Sequence, residues 1–125
     1  PLIKYPYHIF CPMQTIQIDG LKFDGPYVLG RDELPNVPAI ALIITEAGEG
    51  FKIMSVLHGV NIKEEIENSP KQDCWHKHAY HDIIDIYLNL DDMPESKRED
   101  YRIRCIEKRK DVIFCDEVTK IVDDW

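Results

Sequence analysis

FKIMSVLHGVNIKEEIENSPKQDCW, residues 51–75, carries three local signals in sequence. Phe51 to Leu57 is a short apolar run of strand length. His58-Gly59 follows as a turn, and Asn61 is placed to cap a helix, with Glu64 three residues later to complete a capping box. Ile62 and Ile66 stand at i and i+4, giving that short helix one core-facing edge, and Ser69-Pro70 ends it. Cys74-Trp75 then reads as a core plug. The expected order is strand, turn, helix.

Working outward, Ala39 to Thr45 (AIALIIT) is a continuous apolar run, too short for a core helix, and reads as a central strand covered on both faces. The polar turn at 46–50 makes it antiparallel to the strand that follows. Ile83 to Leu88 is a third strand. Asp91-Asp92-Met93-Pro94-Glu95-Ser96 reads as a helix start, with acidic residues at the positive end of the dipole. That helix is expected to run to about Lys110 with Tyr101, Cys105 and Ile106 turned inward, and Val112 to Cys115 adds a last apolar segment. On the N-terminal side, Thr15 to Ile18 alternates, Asp19-Gly20 is a tight-turn dipeptide and Leu21 to Phe23 completes a hairpin. Gly25-Pro26 and Leu34 to Pro38 punctuate the approach to the core, and Tyr5, Tyr7, Phe10, Phe23 and Tyr27 read as a cover for the sheet. The fold class is α+β: one domain, with a mostly antiparallel three-stranded central sheet flanked by helices. It divides into an N-terminal β-hairpin extension (1–37), a core (38–116) and an acidic tail (117–125).

At 125 residues, 44% hydrophobic and 30% charged, the chain falls in the globular range. No apolar run approaches the roughly 20 residues of a membrane span, so no membrane partner is expected. Pro1 to Tyr5 lacks a basic start followed by an apolar block, and Pro1 itself places the initiator Met outside these residues. A cytoplasmic location follows as the expectation. The net charge of −8 disfavours non-specific nucleic-acid binding. Cys11, Cys74, Cys105 and Cys115 form no CxxC pair, and read as reduced, mostly buried thiols.

The order of elements, the helix start at Asn61-Ile62 and the Cys74-Trp75 pair resemble the GIY-YIG nuclease-like superfamily, over roughly Gly25 to Asp116. The resemblance implies a site of two tyrosines, an arginine and a metal-holding glutamate around one divalent ion, cutting a phosphodiester. Aligned on Asn61, those positions hold Ala41, Ser55, Glu65 and Glu107, with the triad glycine at Leu57 and a late asparagine near Asp116. Taking Gly59 as the triad glycine makes Leu57 the tyrosine and restores nothing. Only Glu107 matches. A carboxylate at Glu65 would oppose a phosphate by several kcal/mol at a separation of a few Å and an effective dielectric of about 20. Without a phenol, the water lacks a group to orient it. The implied protein is a degenerate, non-catalytic binding or interaction module with no cofactor, which binds a protein partner or dimerises. The rival is an active endonuclease using Mg or Mn, its site rebuilt from Glu107, His58 and Glu65 or the histidine cluster.

Three other groupings carry chemistry. If Cys74 to His81 were helical, Cys74, His78 and His81 would share a face as N and S donors for zinc, giving a zinc-stabilised structural protein. The blander expectation is that Cys74-Trp75 fills the core while the histidines lie near the surface. His58 is a turn histidine at the rim of the cleft, or a general base if a carboxylate joins it. Lys97, Arg98, Arg102, Arg104, Lys108, Arg109 and Lys110 concentrate on one helix, but Glu95, Glu99, Asp100 and Glu107 interleave with them. That spacing favours an ion-paired helix face over a nucleic-acid patch.

Overall fold

The computed structural model describes residues 13–48 and 50–116. Its elements, in order, are β1 (Gln14–Ile18), β2 (Leu21–Val28), β3 (Ala39–Ala47), β4 (Gly50–Gly59), α1 (Ile62–Glu67), α2 (Gln72–His78), a 3-10 turn (Tyr80–Asp82), β5 (Asp85–Asn89) and α3 (Glu95–Lys108). The strands form one five-stranded antiparallel sheet in the order β1-β2-β5-β3-β4.

The α+β class stands, and the sheet has five strands where three were expected. The hairpin is part of it. Asp19 and Gly20 take the left-handed conformation (φ 49° and 89°), the backbone that an Asp-Gly hairpin turn supplies. β2 then runs on past Phe23 and pairs with β5. Gly25-Pro26 reads as a break but sits within the strand. A cis peptide joins the two residues, and the register shifts between Asp24 and Tyr27. A Cβ at Gly25 would lie 2.7 Å from the Ile86 carbonyl oxygen and 2.8 Å from the Tyr87 ring, so only glycine lets β2 approach β5.

β3 is buried from Ala39 to Thr45. Ala39, Ala41 and Ile43 face one cluster with Ile62, Ile66, Trp75, Ile84, Ile86 and Leu88. Ile40, Leu42 and Ile44 face the other, with Phe23, Val56, Cys105 and Ile106. Helices α1 and α2 therefore cover one face of the sheet and α3 the opposite face. Asn61 caps α1 as expected, its Oδ1 accepting the Glu64 N–H at 3.3 Å, with Ile62 and Ile66 buried. α1 ends at Glu67, just before Ser69-Pro70. Cys105 and Ile106 turn inward from α3, and Tyr101 is half-buried.

The reduced-thiol expectation fails at one pair. Cys74 and Cys115 form a disulfide, their Cα atoms 5.9 Å apart across 41 residues of chain. Sequence spacing carries no sign of it, because α2 and the segment after α3 meet only in the folded sheet. Cys105 is free and buried. The expectations for Tyr5, Tyr7, Phe10, Cys11 and the acidic tail lie outside the described residues.

Gly25→Ala is expected to destabilise the chain by about 1–3 kcal/mol, the usual cost of forcing atoms into a packed site. Gly50, whose Cβ would meet nothing within 4 Å, supplies the control. Urea midpoints for Gly25→Ala and Gly50→Ala test this; equal midpoints would contradict the close approach.

Candidate functional site

Of the four positions aligned with the nuclease site, Ala41, Ser55 and Glu65 lie toward one face of the sheet and Glu107 lies beyond the other. Ala41 is fully buried among the residues under α1 and α2. Ser55 is also fully buried, and its Oγ accepts the Trp75 indole N–H at 2.8 Å. One extra residue of β4 between Ile53 and Ser55 turns Met54 toward the same cluster. Glu65 is exposed on α1, its side chain lying over Gly59. Glu107 is exposed on α3, beyond the other face of the sheet, 4.0 Å from Lys110.

His58 and Gly59, read as a turn, are instead the last residues of β4, and His58 finds its carboxylates at Glu95 and Glu99 of α3. Its Nε2 lies 2.8 Å from Glu99 and its Nδ1 3.3 Å from Glu95. The histidine cluster does not form one helical face. α2 ends at His78, Ala79 is extended, and His81 takes φ 55° in the following turn. The Cys74 sulfur is bonded to Cys115, and His78 stacks on Phe114 with ring centres 4.9 Å apart. Among the described residues no group of three or more His, Cys, Asp or Glu side chains is placed to hold a metal ion. Trp75 is fully buried, as the core-plug reading expects.

Beside α3 the fold opens a groove of about 950 Å³, lined by the β1–β2 turn, the loop before α3 and one side of the helix. Leu21, Met93 and Ile103 supply its apolar wall, and Asp92, Lys97, Asp100, Arg104 and Glu107 its mixed-charge rim. At one end Arg109 and Lys108 grip Asp19, at 2.7 and 3.2 Å. The Arg109 guanidinium holds the Asp19 carboxyl down at about 2. The Tyr101 hydroxyl donates to the Ile18 carbonyl, and burial raises its pKa above the usual phenol range. Burial pushes the Cys105 thiol up to about 11, so it stays protonated at neutral pH and is a poor nucleophile. The Ser55 hydroxyl is likewise engaged by Trp75 in the core. The groove can therefore bind through area and charge pairing, and its thiol is not poised for covalent chemistry.

A second groove, about 730 Å³, runs across β2, β5, β3 and β4, with Tyr27, Phe51, Ile83 and Tyr87 on its walls. Asp85 sits in it, its carboxyl raised first by burial and then by Glu46. Neither groove was read from the sequence. The Asp19-Gly20 signal located the hairpin turn, but nothing in it pointed to Arg109, 90 residues away.

Compared with family models, with curated proteins and with solved structures, the chain finds no match.

The two perturbed carboxylates have opposite effects on stability. Asp19 is depressed when folded, so its contribution is present above the unfolded carboxylate range, from about pH 4 upward, and is lost as pH falls toward about 2. Asp85 is raised, so folding is penalised once that carboxylate must ionise. Asp19→Asn is expected to flatten the acid limb of a urea stability profile. Asp85→Asn is expected to stabilise the chain at pH 7, with the gain shrinking as acid protonates the native Asp85. A loss of stability in Asp85→Asn at pH 7 would reverse the assignment.

Proposed function

We propose that this domain is a non-catalytic binding module that engages a protein partner or a second copy of itself. The observation carrying this reading is the open groove beside α3, where an apolar wall is framed by charges of both signs. That composition suits a polypeptide surface, with apolar area for affinity and rim charges for register. A nucleic acid suits it less, because the rim is mixed in sign and the chain is acidic at −8. The core order of two strands, two short helices, a strand and a long helix is compatible with a GIY-YIG-like scaffold. Ala41, Ser55 and Glu65 at the positions of two tyrosines and an arginine support the loss of cutting. The separation of Glu107 from the other three weighs against a metal-dependent site built from those positions. The disulfide weighs against the expected reducing, cytoplasmic setting, since such bonds persist chiefly in oxidising compartments.

Ile103 is 44% exposed and lines the groove, which makes it the residue to change. Sedimentation across a concentration series tests self-association, and affinity capture from the source cells tests a partner. Ile103→Arg is expected to weaken the resulting complex at least about tenfold, the effect of losing one well-placed apolar contact. Capture or dimerisation undiminished in Ile103→Arg would remove the groove from the interface. Incubation with plasmid and branched DNA plus Mg²⁺ or Mn²⁺ is expected to give no cleavage. Cutting that disappears in Glu107→Ala would establish the endonuclease instead.

A further inference from the structure

β4 is an edge strand, and the side facing away from β3 is covered by the chain that follows α3. The Cys115 N–H donates to the Met54 carbonyl at 2.9 Å. The Asp116 carboxylate, fully buried, accepts the Val56 N–H at 2.8 Å and the Lys71 ammonium at 2.7 Å. From α3 itself, the Arg102 guanidinium donates to the Val56 carbonyl at 2.9 Å. These are the outward backbone groups that a further strand would otherwise take. Beyond the disulfide to Cys74 and the Asp116 pairs, the side chains of the covering segment are unevenly held. Ile113 enters the core, Phe114 stacks on His78, and Val112 remains 58% exposed. Cys74 and Cys115 are both half-buried, Cys115 against the edge of the core, so the residues bearing the bond keep some exposure to solvent.

We propose that the Cys74–Cys115 disulfide is a redox-operated latch whose reduction releases residues 112–116 and uncovers the edge of β4. This goes beyond the groove-binding reading and does not depend on it. The reductant is a dithiol. One of its thiolates attacks a protein sulfur, and the S–S bond breaks as the other cysteine leaves as a thiolate and takes up a proton. The second thiol of the reductant then attacks the mixed disulfide, freeing the remaining cysteine. The protein gains two electrons and two protons as two thiols, and the reductant departs as a disulfide. With the covalent tie gone, Asp116 and Lys71 can regain water, and the Met54 carbonyl and Val56 N–H lose their cover. Arg102 stays with α3, so Val56 keeps one of its two partners. The opening is local, because Ile113 is the one buried core side chain in the released segment and the other core residues around β3 lie on the remaining strands and helices.

Hydrogen exchange on the full chain, with and without dithiothreitol, tests the latch. Peptide mapping after alkylation is expected to find Cys74 and Cys115 blocked before reduction and free after it. Reduction is expected to speed exchange at the Val56 amide by about tenfold or more while the Ile43 amide stays protected, the signature of local opening. Cys115→Ser is expected to exchange at the reduced rate whether or not dithiothreitol is present. Alkylation of both cysteines without reductant would overturn the proposal. So would an unchanged Val56 rate on reduction, continued Val56 protection in Cys115→Ser, or joint loss of Val56 and Ile43 protection.

Discussion

β3 has no polar face from Ala39 to Ile44, and the sheet can exist only if both of its sides are covered. Alternate side chains of this one strand enter two different clusters. One is closed by α1 and α2, the other by α3. Residues on α1 and α3 are consequently separated by the thickness of the sheet, whatever their spacing in the chain. That separation divides Glu65 from Glu107, and it leaves the outer side of α3 free to border a groove of its own.

Within this frame, polar groups with chemical potential are committed to structure. Ser55 could serve as a hydroxyl nucleophile in another setting, but here it satisfies the indole N–H of a buried tryptophan, which would otherwise be left without a partner in the core. Thr45, also buried, accepts the Tyr80 N–H and so anchors the turn after α2. Asp116 is wholly buried yet meets a lysine and a backbone N–H, the pairing that makes a buried carboxylate tolerable. His58 is braced against α3 by Glu99. For the buried pairs of Ser55, Thr45 and Asp116, removing one partner leaves a buried polar group unsatisfied, so these residues read as architecture.

The sequence disclosed what is local. Asp19-Gly20 located a tight turn, Asn61 located a helix cap, and the apolar run of β3 announced a strand covered on both sides, because each depends on residues within a few positions. It did not disclose what depends on meeting partners. Gly25-Pro26 carries the marks of a chain break, and only the proximity of Ile86 and Tyr87 makes it a passage within a strand. Cys74 and Cys115 look like unrelated thiols until the segment after α3 folds back onto β4. The histidines after Cys74 would share a face only on a continuous helix, and the extended backbone at Ala79 and the left-handed His81 rotate them apart. The groove was illegible for the same reason: its walls come from residues near 20, 92 and 100, and α+β order alone does not say which side of a helix stays bare.

The perturbed carboxylates show how burial and pairing separate two residues of one type. Asp19 is gripped by cations at the end of α3, and the gain from those bonds outweighs the loss of water. Asp85 lies on a strand of the same sheet, but its dominant neighbours are apolar surface and another carboxylate. The first ties the β1–β2 hairpin to α3 and closes one end of the groove, so its electrostatic gain is structural. The second makes the ionised state costly, because burial and Glu46 outweigh the charge of Arg31. Such a group weakens the domain at neutral pH, and Arg31, which lines the same half-open, aromatic-walled hollow, offsets only part of that cost.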